Sequence, residues 1–365
     1  MTLTRRIEIY IKEADLELRC EYLKAIYSWR YLAMSGANEL LSYLYSIDRL
    51  KYYKFITDNT KLELGIIGVR GNIVKENSAS YVLLSERMKG KIPADILSCL
   101  QKNVIRRYQE TRPSLFKGSS CLYTYKNNIP LPFSANSIKH IGKDDNGHYY
   151  FTLFGIRFGV TLGRDRSNNQ KILEECNIGL CTIKESSLLI DDKSRKIFLL
   201  LSYQPPFQRV ALDDNLSVNA SLSIEIPIVA SFKGVVKMIG NKEEFLYRRL
   251  QIQSAIRRAQ INSKYTEGGR GRKRKLSVLG RYHKKEKYYI DTKIHTYSKL
   301  LIDFALENNC STINLINQAE EERKAKGNSF LLRNWSYYGL RKKLEYKAAL
   351  YGIKVTTDPT IRCRI

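Results

Sequence analysis

Apolar and polar positions alternate from the start of the chain: Ile7, Ile9 and Ile11 fall on one face of Leu3 to Ile11, and Arg6, Glu8 and Tyr10 on the other. That period of two predicts a half-buried strand. From Asp15 to Tyr53 the period becomes helical. Leu16, Leu18, Tyr22, Leu23, Ile26 and Tyr27 precede a break near Ser35-Gly36, and Leu40, Leu41, Leu44 and Tyr45 follow it, which predicts two packed helices. After a glycine-punctuated stretch, Gly65 to Asn72, helical spacing returns between Ser80 and Thr111, interrupted around Gly90 to Pro93.

Between Ser119 and Tyr203 the pattern turns to β-structure. His148 to Phe154 follows an Asp144 to Gly147 turn, and Ser186 to Ile190 and Ile197 to Tyr203 flank an Asp191 to Arg195 turn, so both read as hairpins. With the N-terminal strand they would make a small barrel, interrupted by the helical block from Asp15 to Lys117. The paired prolines Pro205-Pro206 favour an extended linker and mark a boundary. Beyond it, Ile294, Tyr297, Leu301, Phe304 and Ala305 recur at helical spacing within Tyr288 to Cys310. A strand from Ser311 to Asn317, a polar loop from Gln318 to Asn328, a second amphipathic helix from Tyr337 to Gly352 and a last strand, Ile353 to Val355, complete the pattern.

Charge narrows the partners. The 365 residues hold 62 Lys+Arg against 36 Asp+Glu, a formal net charge of +26, which implies a polyanionic partner. No apolar run approaches the ~20 residues of a spanning helix and no signal-type apolar segment follows Met1, so the expectation is a cytoplasmic protein that does not enter a membrane. The 7 cysteines are scattered and odd in number, against a disulfide framework. Cys176 and Cys181 lack a second pair or a nearby His, and the 4 histidines form no cluster, so no metal site is expected from them.

The densest basic signal lies past the boundary. Arg248, Arg249, Arg257 and Arg258 stud a helix whose apolar side holds Phe245, Leu246, Ile252 and Ile256; a glycine-rich run with Arg270, Arg272, Lys273, Arg274 and Lys275 follows and ends near Arg281. Glycines let a backbone approach phosphates while cations release condensed counterions. A nucleic-acid channel, a nuclear-import patch and a disordered basic loop all fit the run. Trp335, Tyr337 and Tyr338 would stack on bases or belong to a core, with Arg333 beside them as a nucleic-acid contact. Arg106 and Arg107, in the helical block, suit phosphates or an ordinary solvated face.

The stretch Arg209 to Val218 carries candidate chemistry: an apolar strand, Val210 to Leu212, runs into Asp213, Asp214 and Asn215. A carboxylate at a strand end opens the metal site of RNase H-like and RuvC-like nucleases, where two Mg2+ ions clamp the attacking and leaving oxygens of a phosphodiester; a lone Asp there is also an ordinary turn residue. The order of elements, with Leu340 to Val355 (LRKKLEYKAALYGIKV), Asn128 to Phe133 and Phe154 to Phe158, resembles the miniature type V-F CRISPR effectors and, more distantly, the TnpB transposon nucleases. That resemblance implies an α+β multidomain protein: a split β-barrel wedge domain (1–14 plus 118–204), an inserted helical recognition domain (15–117), and a RuvC-like α/β domain (205–365) that lacks the family's terminal zinc ribbon.

Departures from the family pattern shape the expected function. Ile316 stands where the family has its catalytic Glu, and the chain stops at Ile365, before the third catalytic Asp, leaving Asp213 as a relic. The resemblance then implies a nuclease-dead effector without metal or other cofactor, which uses a guide RNA to find double-stranded DNA. Its output would be recruitment of a sigma factor, of the extracytoplasmic-function kind, and RNA polymerase, with two protein copies on one guide RNA. Repression by blocking, a still-active TnpB-type endonuclease using Asp214, Glu320 or Asp358, and a plain RNA-binding protein are the alternatives.

Overall fold

In the computed structural model the described residues are 2–52, 66–67, 73–74, 76–165, 168–206, 211–222, 226–265, 277–316 and 337–358. The chain forms two compact units, Thr2–Pro206 and Phe207–Ile365, each with its own apolar core in a mixed α+β fold.

The first unit is built on an antiparallel sheet. Its strands are β1 (Leu3–Ile11), β4 (Leu131–Phe133), β5 (Ile138–Lys143), β6 (Tyr149–Leu153), β7 (Ile156–Thr161), β8 (Thr182–Ile183), β9 (Ser186–Asp191) and β10 (Lys196–Gln204); a separate two-stranded pair joins β2 (Ile66–Ile67) to β3 (Ile73–Val74). The order is β4-β9-β10-β1-β7-β6-β5, with β8 on β10. β1 lies in the middle and buries Ile7, Ile9 and Ile11, as its alternation predicts. The expected hairpins form: β5 with β6, and β9 with β10. At the β6–β7 turn, Phe154 and Gly155 are both left-handed (φ 53° and 79°), the backbone that a two-residue hairpin turn requires and glycine supplies without strain.

This sheet does not close into the expected barrel. Its path has two different ends, and both are built to stop a ladder. β4 is three residues long beside Pro130 and contains Pro132, neither of which has an N–H to donate. β5 loses register between Lys139 and Gly142, around the left-handed His140 (φ 54°).

Helices α1 (Leu16–Tyr52), α2 (Glu76–Met88), α3 (Ala94–Phe116) and α4 (Asn169–Asn177) complete the unit. The break predicted at Ser35-Gly36 is absent, and α1 runs unbroken for 37 residues. Gly36 serves close packing instead: a Cβ there would lie 2.7 Å from Met88 Cε and 3.0 Å from Leu84 Cδ2. Side chains lock the remaining joints. Asn38 brackets the backbone of Tyr125, its Nδ2 donating to the carbonyl (3.1 Å) and its Oδ1 accepting from the N–H (2.8 Å). Asp95 Oδ2 accepts from Ser134 N at 2.7 Å and also from Ser137 Oγ. Helical block and sheet share one core, in which Ile26, Leu40 and Ile96 join Ile7, Phe158 and Leu199.

The second unit contains β11 (Asp213–Ser221), β12 (Ile228–Phe232), β13 (Val235–Ile239), β14 (Cys310–Ile316) and β15 (Lys354–Asp358), with helices α5 (Lys242–Tyr265), α6 (Ser277–Glu307) and α7 (Tyr337–Tyr351). Its sheet runs β13-β12-β11-β14-β15. β12 is antiparallel to its neighbours β11 and β13, whereas β14 is parallel to β11 and β15 to β14. The predicted apolar stripe of α6, Ile294, Tyr297, Leu301, Phe304 and Ala305, is buried, and with Leu340 and Leu344 of α7 it packs with Val218, Ala220, Ile313 and Leu315. Because strand side chains alternate, Asn219 and Asn314 point to the opposite face.

Candidate nucleic-acid site

The parallel register of β11 and β14 decides which residues meet. Asp213 pairs with Cys310 at the start of both strands, and Ile316 ends β14. At ~3.3 Å per residue the two ends are roughly 20 Å apart, so Asp213 and Ile316 are not partners in one site. Ala211 and Leu212 precede the strand rather than form it, a correction to the expected strand ending at Asp213. Asp213 is exposed and its Oδ1 accepts from Asn215 N at 2.9 Å, a local turn bond at the strand's entry.

The residues that stand near Ile316 are others. Asn219, Asn314 and Thr356 are in register across β11, β14 and β15. Their side chains form a continuous relay: Thr356 Oγ1 donates to Asn314 Oδ1 (2.5 Å), and Asn314 Nδ2 donates to Asn219 Oδ1 (3.2 Å). Ile316 lies two residues beyond Asn314 on the same strand face, in register with Asp358 of β15. Sequence reasoning missed this row, although its signal was present: Asn219 alternates with the apolar Val218 and Ala220, as Asn314 does with Ile313 and Leu315. Amide, hydroxyl and alkyl groups carry no charge, and a two-metal phosphodiesterase needs fixed carboxylate oxygens. These residues do not fit a divalent cation. Among the described residues no group of three or more His, Cys, Asp or Glu side chains could hold a metal.

The predicted basic residues divide by helix face. On α5, Arg248, Arg257 and Arg258 are exposed, as is Arg281 on α6. Arg248 Nη1 donates to Gln251 Oε1 at 3.2 Å. Arg249 is different: it is 0 % exposed, and its Nε donates to Glu286 Oε1 of α6 at 3.3 Å. It falls four residues after Phe245, inside the apolar stripe, so it binds α5 to α6 and is not presented to a phosphate. In the first unit Arg106 donates to Asn103 Oδ1 at 2.6 Å, and the Arg107 guanidinium lies over the rings of Tyr123 (4.2 Å) and Tyr125 (5.4 Å). Both line an open groove of about 640 Å³ that Asn103, Tyr125, Pro132 and Glu185 also border. Arg270, Arg272, Lys273, Arg274, Lys275, Glu320, Arg333 and Trp335 lie outside the described residues, and Tyr337 enters only as the first residue of α7. No helix among the described residues is long and apolar enough to cross a membrane.

No protein-family model matches the chain. Two curated proteins do: the CRISPR-associated endodeoxyribonuclease Cas12f1 of Sulfoacidibacillus thermotolerans, 26% identical over 277 residues (71% of this chain, 64% of that protein), and the Cas12f1 of Syntrophomonas palmitatica, 30% identical over 172 residues (45% of this chain, 33% of that protein). The chain thus spans less than two thirds of the length of the relatives it matches. Among solved structures, the cryo-EM structure of a Cas12f1-sgRNA-target DNA complex aligns with a TM-score of 0.68 at 17% identity, over 98% of this chain and 89% of that one. The chain is therefore homologous to Cas12f1, the miniature type V-F CRISPR effector, and has a similar mixed α+β fold.

Proposed function

We propose that this protein is an RNA-guided DNA-binding protein that does not cut its target, and that it controls transcription by bringing a sigma factor and RNA polymerase to the guided site. Homology to Cas12f1 and a net charge of +26 support guide RNA and double-stranded DNA as partners. In such a complex pairing reads the sequence, while the protein holds the heteroduplex by its shape and backbone. The strand order β13-β12-β11-β14-β15 supports an RNase H-like, RuvC-like reading of the second unit.

The observation that carries the loss of cleavage is the uncharged row Asn219, Asn314 and Thr356 beside Ile316. A bound, uncut target leaves the complex as a fixed platform on DNA, and such a platform acts through what it recruits or excludes. The test combines two measurements on the chain with its copurifying RNA. Guide-matched duplex is expected to be bound and left intact in Mg2+, and moving the guide target along the DNA is expected to move the transcription start with it. Transcription that only falls when the target lies inside a promoter would make the protein a repressor.

A second reading, an active endonuclease, draws on the relatives being endodeoxyribonucleases and on Asp358 standing in register with Ile316. Mg2+-dependent cleavage abolished by Asp358→Ala, Glu320→Ala or Asp214→Ala would establish it in place of the first.

A further inference from the structure

Helices α6 and α7 meet along a seam whose edge is lined with basic side chains. On α7 the apolar stripe Leu340, Leu344 and Ala348 is buried, and Lys343 and Lys347 stand one position before the last two of these, a helical turn apart. On α6 the buried stripe through Ile294, Tyr297, Ser298 and Leu301 leaves His295, Lys299 and Asp303 along its margin at the same spacing. The two margins touch. Lys343 Nζ is 2.6 Å from His295 Nε2, Tyr346 Oη is 3.4 Å from His295 Nδ1, and Lys347 Nζ donates to the His295 carbonyl and to Ser298 Oγ at 2.9 Å.

Two ammonium groups therefore converge on one imidazole and one helix turn. Lys347 shows the cost of that arrangement: burial first, then the nearby Lys343 and Lys299 charges, pull its pKa down to about 8, against the opposing pull of Asp303. A dianionic or monoanionic oxygen group in the seam would reverse each of these effects. It would draw both ammonium groups and the Tyr346 hydroxyl as donors, and it would restore the Lys347 charge.

We propose that the α6–α7 seam is a phosphodiester site, in which Lys343 and Lys347, with Tyr346, hold a backbone phosphate of bound nucleic acid. Two Nζ donors one helical turn apart suit adjacent oxygens of one phosphate or two successive phosphates on a strand. The contact is independent of base identity, so it positions the nucleic acid and does not read it. The inference rests on the nucleic-acid reading above and names one place where that reading is physically carried; Lys343, Tyr346 and Lys347 stand out in the sequence only as part of the stretch Leu340 to Val355, with no binding role.

The seam makes binding respond to pH. The groups facing Lys347 are His295, Lys299 and Asp303 from α6 and Lys343 and Tyr346 from α7. A phosphate favours the protonated amine, so affinity should fall as pH rises through about 8, where the free Lys347 loses its proton. Arginine in its place stays charged and should flatten that fall.

The experiment measures anisotropy of a short fluorescein-labelled oligothymidylate with the full chain, as a function of salt at pH 7 and of pH at fixed salt. It compares the wild type with Lys343→Gln, Lys347→Gln and Lys347→Arg, each checked by thermal melting. Each Gln variant should reduce the log-log salt slope by roughly 0.7. Lys347→Arg should keep the slope and lose the pH dependence. Melting curves like the wild type's with unchanged slopes in both Gln variants would overturn the seam, as would a wild-type pH profile in Lys347→Arg. Because the probe needs no guide, those outcomes, and equally a wild-type chain that holds no oligothymidylate at all, overturn the seam and leave the guided-targeting reading standing.

Discussion

The two units place their charges differently. In the first, ion pairs join element margins, Lys196 with Glu8 (2.8 Å), Lys143 with Glu174 (2.9 Å) and Arg112 with Asp48 (2.8 Å), and the buried Arg30 reaches out to an exposed partner, Asp192 (2.9 Å). In the second, a charged pair sits inside, Arg249 against Glu286, and polar side chains link three strands across the sheet. Marginal pairs in water add little and tolerate change, whereas a buried pair depends on each partner being present. The first unit is thus organised as a scaffold. The second carries a charge pair buried on both sides and a polar row that crosses its sheet.

The largest test of this contrast removes one side of the buried pair. Glu286→Ala leaves the Arg249 guanidinium charged and enclosed, and should destabilise the second unit by about 3–5 kcal/mol. Replacing both, Arg249→Met with Glu286→Leu, should recover most of that loss, because two apolar side chains of similar size need no desolvation of charge. Hydrogen exchange resolves the outcome by unit: strands β11 to β15 should lose protection while β1 and β10 keep theirs. An equal loss in single and double variants would mean that packing, and not charge, holds α5 to α6.

A smaller effect is expected inside the scaffold. Gly36→Ala adds helix propensity of up to ~1 kcal/mol, but its Cβ meets Met88, which is fully buried, and overpacking costs ~1–3 kcal/mol. The net expectation is a loss of about 1 kcal/mol, read from denaturant unfolding followed by the fluorescence of Trp29, which packs edge-on against Phe154. Adding Met88→Val should remove the clash and reverse the sign. A stabilised single variant would show that the Met88 tip yields easily.

These two cases also show where sequence was informative. The alternation of Ile7, Ile9 and Ile11, the turn at Asp144 to Gly147 and the stripe of α6 are local patterns, and each formed as its spacing implied. Gly36 was misread because its reason, Met88, lies on another helix, and a glycine in isolation signals a break. The strand at Asp213 was placed too early because Val210 to Leu212 is apolar enough to look like a strand, whereas the observed strand starts at Asp213 and is set by parallel pairing with β14, far along the chain. Asn219 and Asn314 look like solvent-facing positions of half-buried strands until register brings them side by side. Arg249 was within reach: its spacing from Phe245 puts it in the apolar stripe, but it was grouped with its basic neighbours by composition.

The smallest effects lie in pH dependence, and here the two units should respond at opposite ends of the scale. In the first, Glu174 accepts from the Tyr149 hydroxyl, from Lys143 and from Gln170, in that order of influence, and its pKa is held down at about 2. A carboxylate whose folded pKa lies below its unfolded value gives stability that is complete above the ordinary carboxylate range and disappears as pH falls toward 2. The side chain is 44% exposed, so solvent screens the effect and the loss should be slight. In the second unit Lys347 has its pKa lowered from 10.5 to about 8, so between those values the unfolded chain holds a proton that the folded chain has released. The Lys347 contribution to the stability of that unit should therefore rise with pH from about 8 to 10.5, against the falls that burial of Cys310 brings above 9.0 and burial of Tyr289 and Tyr297 brings above 10.0. Urea midpoints across pH 2–5 and 8–10.5, each compared with the wild type, check both contributions: Glu174→Gln should make the acid loss smaller, beside the shares of Asp144 and Asp191, and Lys347→Met should remove the rise that Lys347 supplies. An alkaline limb that survives Lys347→Met would mean that the seam lysine is charged and satisfied in the folded chain, and the contrast between a paired scaffold and a strained, ligand-ready second unit would no longer hold there.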